Sequence, residues 1–212
     1  PSFGKGNLPP IEAMRKALKE GTDPRDNQNP FSVSEDEARA IIALTYGSIS
    51  MIDDAIGRVL AHLKSVGMAD DTIVIFTSDH GDYMGDHGLM LKLLLHYQGI
   101  LRVPFIWHDP TAQAHGKVDS GLAQSIDISA TILARAGIQP FNGMQGRDLC
   151  STAPPLGIIV EEDSQRLMTG FDRPQRVRTI VTDTHRMSLQ EGEDWHELYD
   201  LTSDPYEIDN IY

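Results

Sequence analysis

The chain has 212 residues, of which 40% are hydrophobic and 23% are charged, a balance typical of soluble globular proteins, so whole-chain disorder is excluded. Lysine and arginine number 18 against 31 acidic residues, and the resulting net charge of −13 argues against a nucleic-acid partner and against binding to anionic membrane surfaces. An anionic small substrate stays compatible with this charge, provided that a metal ion or local cations offset it.

Two sequence features concern membranes and compartment. No stretch approaches 18 uninterrupted apolar residues, so we expect no transmembrane helix. The one cysteine, Cys150, excludes an intrachain disulfide framework and any metal site built from several cysteines. The compartment stays open, with the cytoplasm as our working assumption. The chain begins at Pro1 without Met or an apolar leader, and we expect it to be part of a longer protein.

The N-terminal part predicts one irregular segment and two helices. The first 33 residues are rich in Gly, Pro, Asn and Asp and predict an irregular surface segment with a short helix over Ile11–Glu20. Ser34 followed three residues later by Glu37 is a capping box, after which apolar residues recur at helical spacing. These signals predict a long helix, roughly Glu35–Ser65, that packs along one side.

The middle of the chain predicts an α/β fold. Thr72–Thr77 is a continuous β-branched and aromatic run, typical of a central parallel strand that is covered on both faces. Val103–Trp107 predicts a second strand that lies at, or begins at, a sheet edge, because Pro104 has no N–H to donate. Leu122–Ala136 predicts an amphipathic helix. A helix followed directly by a buried strand indicates a mostly parallel sheet flanked by helices.

The C-terminal part has a different residue pattern from the part before it. Short strand-like runs predict a small antiparallel unit over residues 157–199, with a turn at Asp183-Thr184. We therefore expect two domains, an α/β core over residues 1–156 and a small antiparallel sub-domain with its tail over residues 157–212. The acidic tail would cover a sheet edge or a neighbouring subunit, which leaves a homo-oligomer open.

The residues that could perform chemistry follow the predicted Thr72–Thr77 strand. Residues 77–88 contain three Asp, two His and three Gly, and sites in open α/β sheets form beyond the carboxyl ends of strands. Asp79 and His80 would bind one divalent metal ion, and Lys92 would hold an anionic group beside it. Oxygen ligands favour Ca²⁺ or Mg²⁺, whereas an imidazole favours Mn²⁺ or Zn²⁺. Two adjacent ligands do not complete a coordination shell, so other parts of the protein must contribute.

This segment resembles the second metal motif of the formylglycine-dependent sulfatases, which belong to the alkaline-phosphatase superfamily. The closest resemblance is to the branch of bacterial arylsulfatases and phosphonate monoester hydrolases, which has Asp-His where many sulfatases have Asp-Asn. The resemblance covers most of residues 35–212. Further matching runs are His96–Gly99, Arg102–Ile106, Ser125–Ile128, Gly146–Leu149 and Glu197–Leu201.

The resemblance implies a role for each matching residue. Asp79 and His80 would be metal ligands, and Lys92 would bond the sulfate or phosphonate oxygens and stabilise negative charge in the transition state. His87 and His96 lie in matching sequence and are candidates for orienting the ligands. The implied metal is Mn²⁺ or Ca²⁺, with Zn²⁺ as a third option. The implied nucleophile is a formylglycine made from Cys or Ser in Cys-x-Pro-x-Arg.

The chain departs from the family pattern at the nucleophile and after the lysine. Cys150 has neither Pro two residues on nor Arg four residues on, and the Asp pair of the first metal motif is absent. Leu93-Leu94-Leu95 stands where small, Gly-Pro-like residues usually follow the lysine. We therefore predict the C-terminal portion of a metal-dependent sulfuric ester hydrolase, a sulfatase. It would need the N-terminal half of the parent chain for its nucleophile and would be inactive alone.

Two alternatives stay open. The parent would be a phosphonate or phosphate ester hydrolase of the same superfamily, because such substrates share a charge-dense tetrahedral centre with sulfate esters; relatives with a Ser or Thr nucleophile and two metals belong here. Alternatively, the chain would be a non-catalytic binding or assembly module in which residues 77–88 are a polar turn. The sequence does not distinguish the leaving group, the metal or the oligomeric state.

Overall fold

A computed structural model of the chain contains both helices and strands, as the sequence predicts. Pro1 and Leu93, which entered the expectations above, lie outside the residues that the structure describes. The described residues are 8–23, 25, 29–92, 94–112 and 116–212.

The chain folds as two compact units. The first comprises Pro1–Lys117 with Arg166–Arg173, and the second comprises Val118–Gln165 with Pro174–Tyr212. The predicted division into residues 1–156 and 157–212 stays a prediction. Each unit is built around its own strands and helices, and the candidate site belongs to the first.

Two helices open the first unit, where local signals predict them. Helix α1 spans Pro9–Glu20, and helix α2 spans Glu35–Ser65. The capping box that begins α2 is complete: the Ser34 hydroxyl accepts from the Glu37 N–H at 3.3 Å, and the Glu37 carboxylate accepts from the Ser34 N–H at 2.9 Å. These bonds satisfy two backbone donors that a helix start would otherwise leave unpaired.

The first prediction concerns the pH dependence of this helix start. Arg25 donates to the Glu37 carboxylate at 2.6 Å, and its hydrogen bond, followed by those from Ser34, lowers the pKa of Glu37 to about 2. A depressed carboxyl pKa stabilises the fold above the unfolded-state pKa, and this contribution is lost as the pH falls from about 4.5 towards 2. We expect Glu37→Gln to lower the free energy of unfolding by about 0.5–1 kcal/mol at pH 7, because the pair is partly solvent-screened, and by less at pH 3.

Chemical denaturation of both proteins at pH 7 and pH 3 measures this difference. The matched control is Asp36→Asn, which removes an exposed first-turn carboxylate outside the capping box. An equal loss for Glu37→Gln at both pH values would contradict the assignment.

The length of α2 is as predicted, but its packing is not. Within α2, which the structure describes in full, Ala38 is the one buried residue. Much of the apolar stripe that the spacing predicts faces outwards, with Val59 67% exposed. By length and hydropathy α2 could cross a membrane, a test that helices of soluble proteins also pass, so the expected absence of a transmembrane helix stays a prediction. Further exposed members of this outward stripe are Ile49, Ile52 and Leu60, and the apolar residues Leu44 and Met51 beside it are exposed as well.

The strand predicted at Thr72–Thr77 is present as β2, Val74–Thr77. A two-residue pair, β1 at Phe31–Ser32 with β3 at Leu89–Met90, and the four-residue helix α3 at Gln98–Leu101 complete the surroundings of the loop that follows β2.

The neighbour of β2 is β4, Phe105–His108, and the pair is antiparallel, as are all strand pairs among the described residues. The expected parallel arrangement is therefore wrong for these strands. The two-sided burial expected for the Thr72–Thr77 strand is wrong as well, because Phe76 is exposed.

The direction of β4 follows from the connection that precedes it. The Gly81 N–H donates to the Ile100 carbonyl at 2.9 Å, so the chain returns to the same end of β2 from which it left. A strand that starts there must run back along β2. The closing bond joins residues 19 positions apart, which hydrophobic periodicity along the sequence does not report.

The second unit begins with helix α4, Ile126–Arg135, shorter at its start than the predicted Leu122–Ala136. The reason is the buried Asp127 side chain, which accepts from the Gln124 N–H at 3.0 Å and from the Arg147 N–H at 2.9 Å. These bonds hold the preceding residues in a turn, because the carboxylate offers their backbone an alternative partner to the helix ladder.

The predicted antiparallel unit is confirmed as a four-stranded sheet in the order β5-β6-β7-β8, with a turn at Asp183-Thr184. One face is buried and largely polar, while the other exposes apolar residues such as Ile159 and Ile180. The strands are β5 Gly157–Asp163, β6 Arg176–Thr182, β7 His185–Gln190 and β8 His196–Asp200.

The C-terminal tail lies along the outer edge of β8. The Ile211 N–H donates to the Leu198 carbonyl at 2.9 Å, and the Asn210 side-chain oxygen accepts from the Leu198 N–H at 2.9 Å. One of the two roles predicted for the tail, covering a sheet edge, is therefore confirmed. A buried ion-pair network also anchors the tail, since the Glu207 carboxylate accepts from Arg186.

Candidate functional site

The candidate site lies in the loop that leaves β2, as the sequence predicts. The Ser78 hydroxyl donates to the His80 carbonyl at 3.0 Å, and Asp79 Oδ1 accepts from the His80 N–H at 3.0 Å. These bonds turn the chain sharply at the strand end. The Asp79 side chain is 83% exposed and that of His80 is partly exposed, so both can reach an external ligand.

Three functional atoms converge there. The His80 Nδ1 lies 2.8 Å from the Gly81 carbonyl oxygen, which only accepts, so Nδ1 bears the proton and Nε2 has its lone pair. His80 Nε2 lies 2.5 Å from Lys92 Nζ and 3.3 Å from Asp79 Oδ2. The structure thus brings together all three residues that the sequence singles out, although their roles stay predictions.

Asp79 and His80 fit a metal ion as a pair of ligands. Two ligand atoms bound at about 2.1 Å and separated by an angle of 90–110° lie about 3.0–3.4 Å apart, which the 3.3 Å between Asp79 Oδ2 and His80 Nε2 matches. The backbone carbonyl on Nδ1 also selects the tautomer that a metal ligand needs. Among the described residues, no group of three or more His, Cys, Asp or Glu side chains could hold a metal, so these two supply only part of a shell.

The surroundings lower the pKa of Asp79 and raise the pKa of Asp82. The backbone hydrogen bond from His80 is the main cause that lowers the pKa of Asp79. Burial is the main cause that raises the pKa of Asp82, against hydrogen bonds from the Met84 and Leu91 backbone. A carboxylate that stays charged is the form that binds a cation, so the electrostatics support Asp79 as the ligand.

Gly81 and Gly99 allow two parts of this loop to approach closely. A Cβ added to Gly81 would overlap the Gly99 carbonyl oxygen and lie 2.9 Å from the Gly99 carbonyl carbon. The sequence identifies the glycine-rich segment at 77–88, but it does not identify Gly99, whose importance depends on a contact made across 18 residues.

The two other candidate histidines are buried, and His87 packs in an aromatic cluster. The His87 ring stacks on Tyr97 with centroids 3.7 Å apart, and Arg15 of α1 donates to the His87 carbonyl at 3.0 Å. His96 is also buried. These observations give both residues a packing environment, and their role in orienting ligands stays a prediction.

The fold and this loop define an α/β protein of the alkaline-phosphatase-like class. Over residues 16–138 the sequence matches the family model described as sulfatase, and over residues 85–212 it matches the model of the C-terminal region of N-sulphoglucosamine sulphohydrolase. The chain belongs to the sulfatase family.

Relatives of known name agree with this membership. The chain is 31% identical over 197 residues to the multifunctional alkaline phosphatase superfamily protein PehA of Trinickia caryophylli, covering 85% of this chain and 38% of that protein. It is 33% identical over 182 residues to an arylsulfatase of Clostridium perfringens, covering 80% of this chain and 35% of the relative. The chain therefore spans little more than a third of the length of these relatives.

Solved structures show the same fold. The phosphonate monoester hydrolase of Agrobacterium radiobacter superposes with a TM-score of 0.79 at 26% identity, over 100% of this chain and 46% of that one. The phosphonate monoester hydrolase SpPMH of Silicibacter pomeroyi superposes with a TM-score of 0.80 at 24% identity, over 100% of this chain and 45% of that one.

Proposed function

We propose that this chain supplies part of the metal site and the anion-binding lysine of a sulfuric ester hydrolase. The observation that supports the proposal is the convergence of Asp79 Oδ2, His80 Nε2 and Lys92 Nζ at the end of β2. Asp79 and His80 are the proposed metal ligands, and Lys92 is the proposed catalytic residue.

The proposed mechanism assigns each residue one task. A divalent ion at the site, Mn²⁺ or Ca²⁺ with Zn²⁺ as a third option, supplies Lewis acidity and a template for the ester. Asp79 contributes negative charge to hold that ion, and the Gly81 carbonyl keeps His80 in the binding tautomer. The Lys92 ammonium binds the anionic oxygens of the substrate and stabilises the charge that develops as the ester bond breaks.

The nucleophile is proposed to come from outside this chain. The sequence contains no Cys-x-Pro-x-Arg, and the chain spans 38% and 35% of two relatives that match it. We propose that it is the C-terminal portion of the enzyme, that a formylglycine is provided by the N-terminal half, and that this portion alone has no turnover.

A phosphonate or phosphate ester is the second candidate substrate. The fold likeness to the phosphonate monoester hydrolase of Agrobacterium radiobacter, at 26% identity over the whole chain, supports it. Sulfate and phosphonate esters both present a tetrahedral, anionic centre, and a metal ion next to one ammonium suits either. Assays with 4-nitrophenyl sulfate and with a 4-nitrophenyl phosphonate ester distinguish the two.

The second prediction tests the proposed roles in the full-length gene product. We expect Asp79→Asn to weaken Mn²⁺ binding by about 10–100-fold, because it removes the anionic ligand. We expect Lys92→Met to leave Mn²⁺ affinity within a few-fold while lowering kcat/KM by about 100-fold, because it removes charge stabilisation from the transition state. Isothermal titration with Mn²⁺ and ester hydrolysis measure the two effects separately.

Asp53→Asn is the matched control for Asp79→Asn. Asp53 is an exposed carboxylate on α2, so its removal changes the net charge equally without touching the loop. If Asp79→Asn kept full Mn²⁺ affinity and full turnover, Asp79 would not be a metal ligand. A full-length gene product with no affinity for Mn²⁺ or Ca²⁺ and no turnover would favour the binding-module alternative.

A further inference from the structure

The loop that presents Lys92 has a backbone conformation that its own residues disfavour. Leu91 has φ of 68° and Leu94 has φ of 63°, both in the left-handed region that side chains with a Cβ avoid. Leucine stands at 94 where the family resemblance leads one to expect small residues. Contacts elsewhere must therefore impose the loop shape that aims Lys92 at His80.

Tyr83 makes the contacts that hold this loop. Its N–H donates to the carbonyl of Leu91, the residue before Lys92, at 2.9 Å. Its hydroxyl bonds Leu95, three residues after Lys92: it donates to the Leu95 carbonyl at 3.0 Å and accepts from the Leu95 N–H at 3.3 Å. One residue thus bonds both flanks of the segment that contains Lys92.

The Tyr83 side chain is itself fixed by burial. It is 0% exposed, and its ring makes an edge-to-face contact with Tyr97 at a centroid distance of 6.3 Å. Tyr97 in turn stacks on His87, so the hydroxyl projects from a packed aromatic cluster. A phenol held in this way can position a backbone segment, because the ring has little rotational freedom to lose.

We propose that Tyr83 is the positioning residue for Lys92. Its hydroxyl bonds Leu95 while its backbone N–H bonds Leu91, and this clamp holds the loop in the conformation that keeps the Lys92 ammonium at the candidate site. The inference rests on the proposed function for its biological meaning. Its physical content, that Tyr83 holds the backbone at Leu91 and at Leu95, is testable without any substrate.

The third prediction follows from deleting the hydroxyl alone. In the full-length gene product, Tyr83→Phe keeps the buried ring and removes both bonds to Leu95. We expect amide exchange in the peptide containing residues 94–97, and acetylation of Lys92 by acetic anhydride, to become about five- to tenfold faster, because the Leu95 backbone loses both of its bonds to the Tyr83 hydroxyl. Acetylation of Lys16 and Lys64, on α1 and α2, should not change. Mass spectrometry measures both rates.

The matched control is Tyr199→Phe. Tyr199 is also buried, and its hydroxyl donates to Glu197 at 3.2 Å in the four-stranded sheet. We expect this variant to lose stability without accelerating either rate near Lys92. A Tyr83→Phe protein that keeps wild-type exchange and acetylation, or a Tyr199→Phe protein that matches its acceleration, overturns the proposal.

Two further measurements test the role of Tyr83 independently of whether Tyr83→Phe folds and of whether the proposed function is correct. In the unmodified protein the Leu95 amide should exchange at least tenfold more slowly than an unbonded loop amide, and fast exchange there overturns the clamp even if Tyr83→Phe does not fold. In turnover assays, Tyr83→Phe should lower kcat/KM about tenfold with Mn²⁺ affinity unchanged. If Lys92→Met left turnover intact, the proposed function would be wrong. The amide exchange rates would still show whether Tyr83 holds the Leu95 backbone.

Discussion

Arg186→Met is expected to lower the free energy of unfolding by about 3–5 kcal/mol, a large part of the stability of a typical domain. The Arg186 side chain is fully buried on β7, donates to Glu207 of the tail and to Glu197 of β8, and lies over the Tyr199 ring. Its removal leaves two buried carboxylates without their cation, and burial of unpaired charge is among the costliest changes in a protein interior.

The hydrogen-bond partners of Arg186 explain why we expect the variant to be less stable. The Arg186 guanidinium also donates to the Ser188 hydroxyl at 2.6 Å, so several of its donors are engaged. Methionine has a similar volume and can occupy the same position in a β-strand, but its side chain has no hydrogen-bond donor. The tail, which Glu207 ties to the sheet, should exchange its amides faster in the variant. Urea denaturation and hydrogen exchange measure the two consequences.

Arg178→Met on the adjacent strand β6 is the matched control. The Arg178 side chain is 41% exposed and pairs with Glu161 at 2.8 Å and with Asp163 at 2.7 Å. Solvent screens exposed ion pairs, which therefore contribute little to stability, so this variant should unfold almost as the wild type does. Equal losses in the two variants would show that burial of the Arg186 network does not determine its contribution.

Gly81→Ala is expected to destabilise the first unit by about 3 kcal/mol or more and to weaken Mn²⁺ binding with it. The new methyl group would overlap the Gly99 carbonyl and lie 3.2 Å from the Ile100 Cα. All these neighbours are backbone atoms, so the clash is relieved only if the loop separates and loses the bond from the Gly81 N–H to the Ile100 carbonyl. Overpacking and a lost hydrogen bond add to this cost.

The same substitution at Gly57 should have the opposite sign. Gly57 lies inside α2 with nothing within 4 Å of an added Cβ, and alanine favours a helix interior by about 0.5–1 kcal/mol over glycine. Thermal unfolding and Mn²⁺ titration of both variants test the contrast. A Gly81→Ala protein with wild-type stability and metal affinity would mean that the two loop segments do not pack closely in solution.

Local signals predict the parts of the fold that local interactions determine. The bounds Glu35–Ser65 of α2 agree with the sequence because the capping box at Ser34 and Glu37 and the helical spacing act within a few residues. The antiparallel unit after residue 157 and its turn at Asp183-Thr184 follow in the same way from short alternating runs. The start of α4 was predicted too early because the Asp127 carboxylate bonds Arg147, 20 residues away.

The candidate site divides in the same manner. Asp79, His80 and Lys92 could be selected from sequence because their side chains have metal- and anion-binding chemistry, and the structure places them in contact. Tyr83 and Gly99 could not, since neither has a group suited to the reaction. Their contribution consists of contacts with the Lys92 loop and with Gly81, which exist only once the chain has folded.

The outward apolar stripe of α2 has a consequence for solution behaviour. A helix of 31 residues is about 45 Å long, and along much of that length side chains such as Met51 and Val59 face solvent. The net charge of −13 keeps molecules apart at low ionic strength. Salt shortens the reach of that repulsion to about 8 Å at physiological strength and leaves apolar attraction in place. Raising the ionic strength should therefore promote association of this chain during purification.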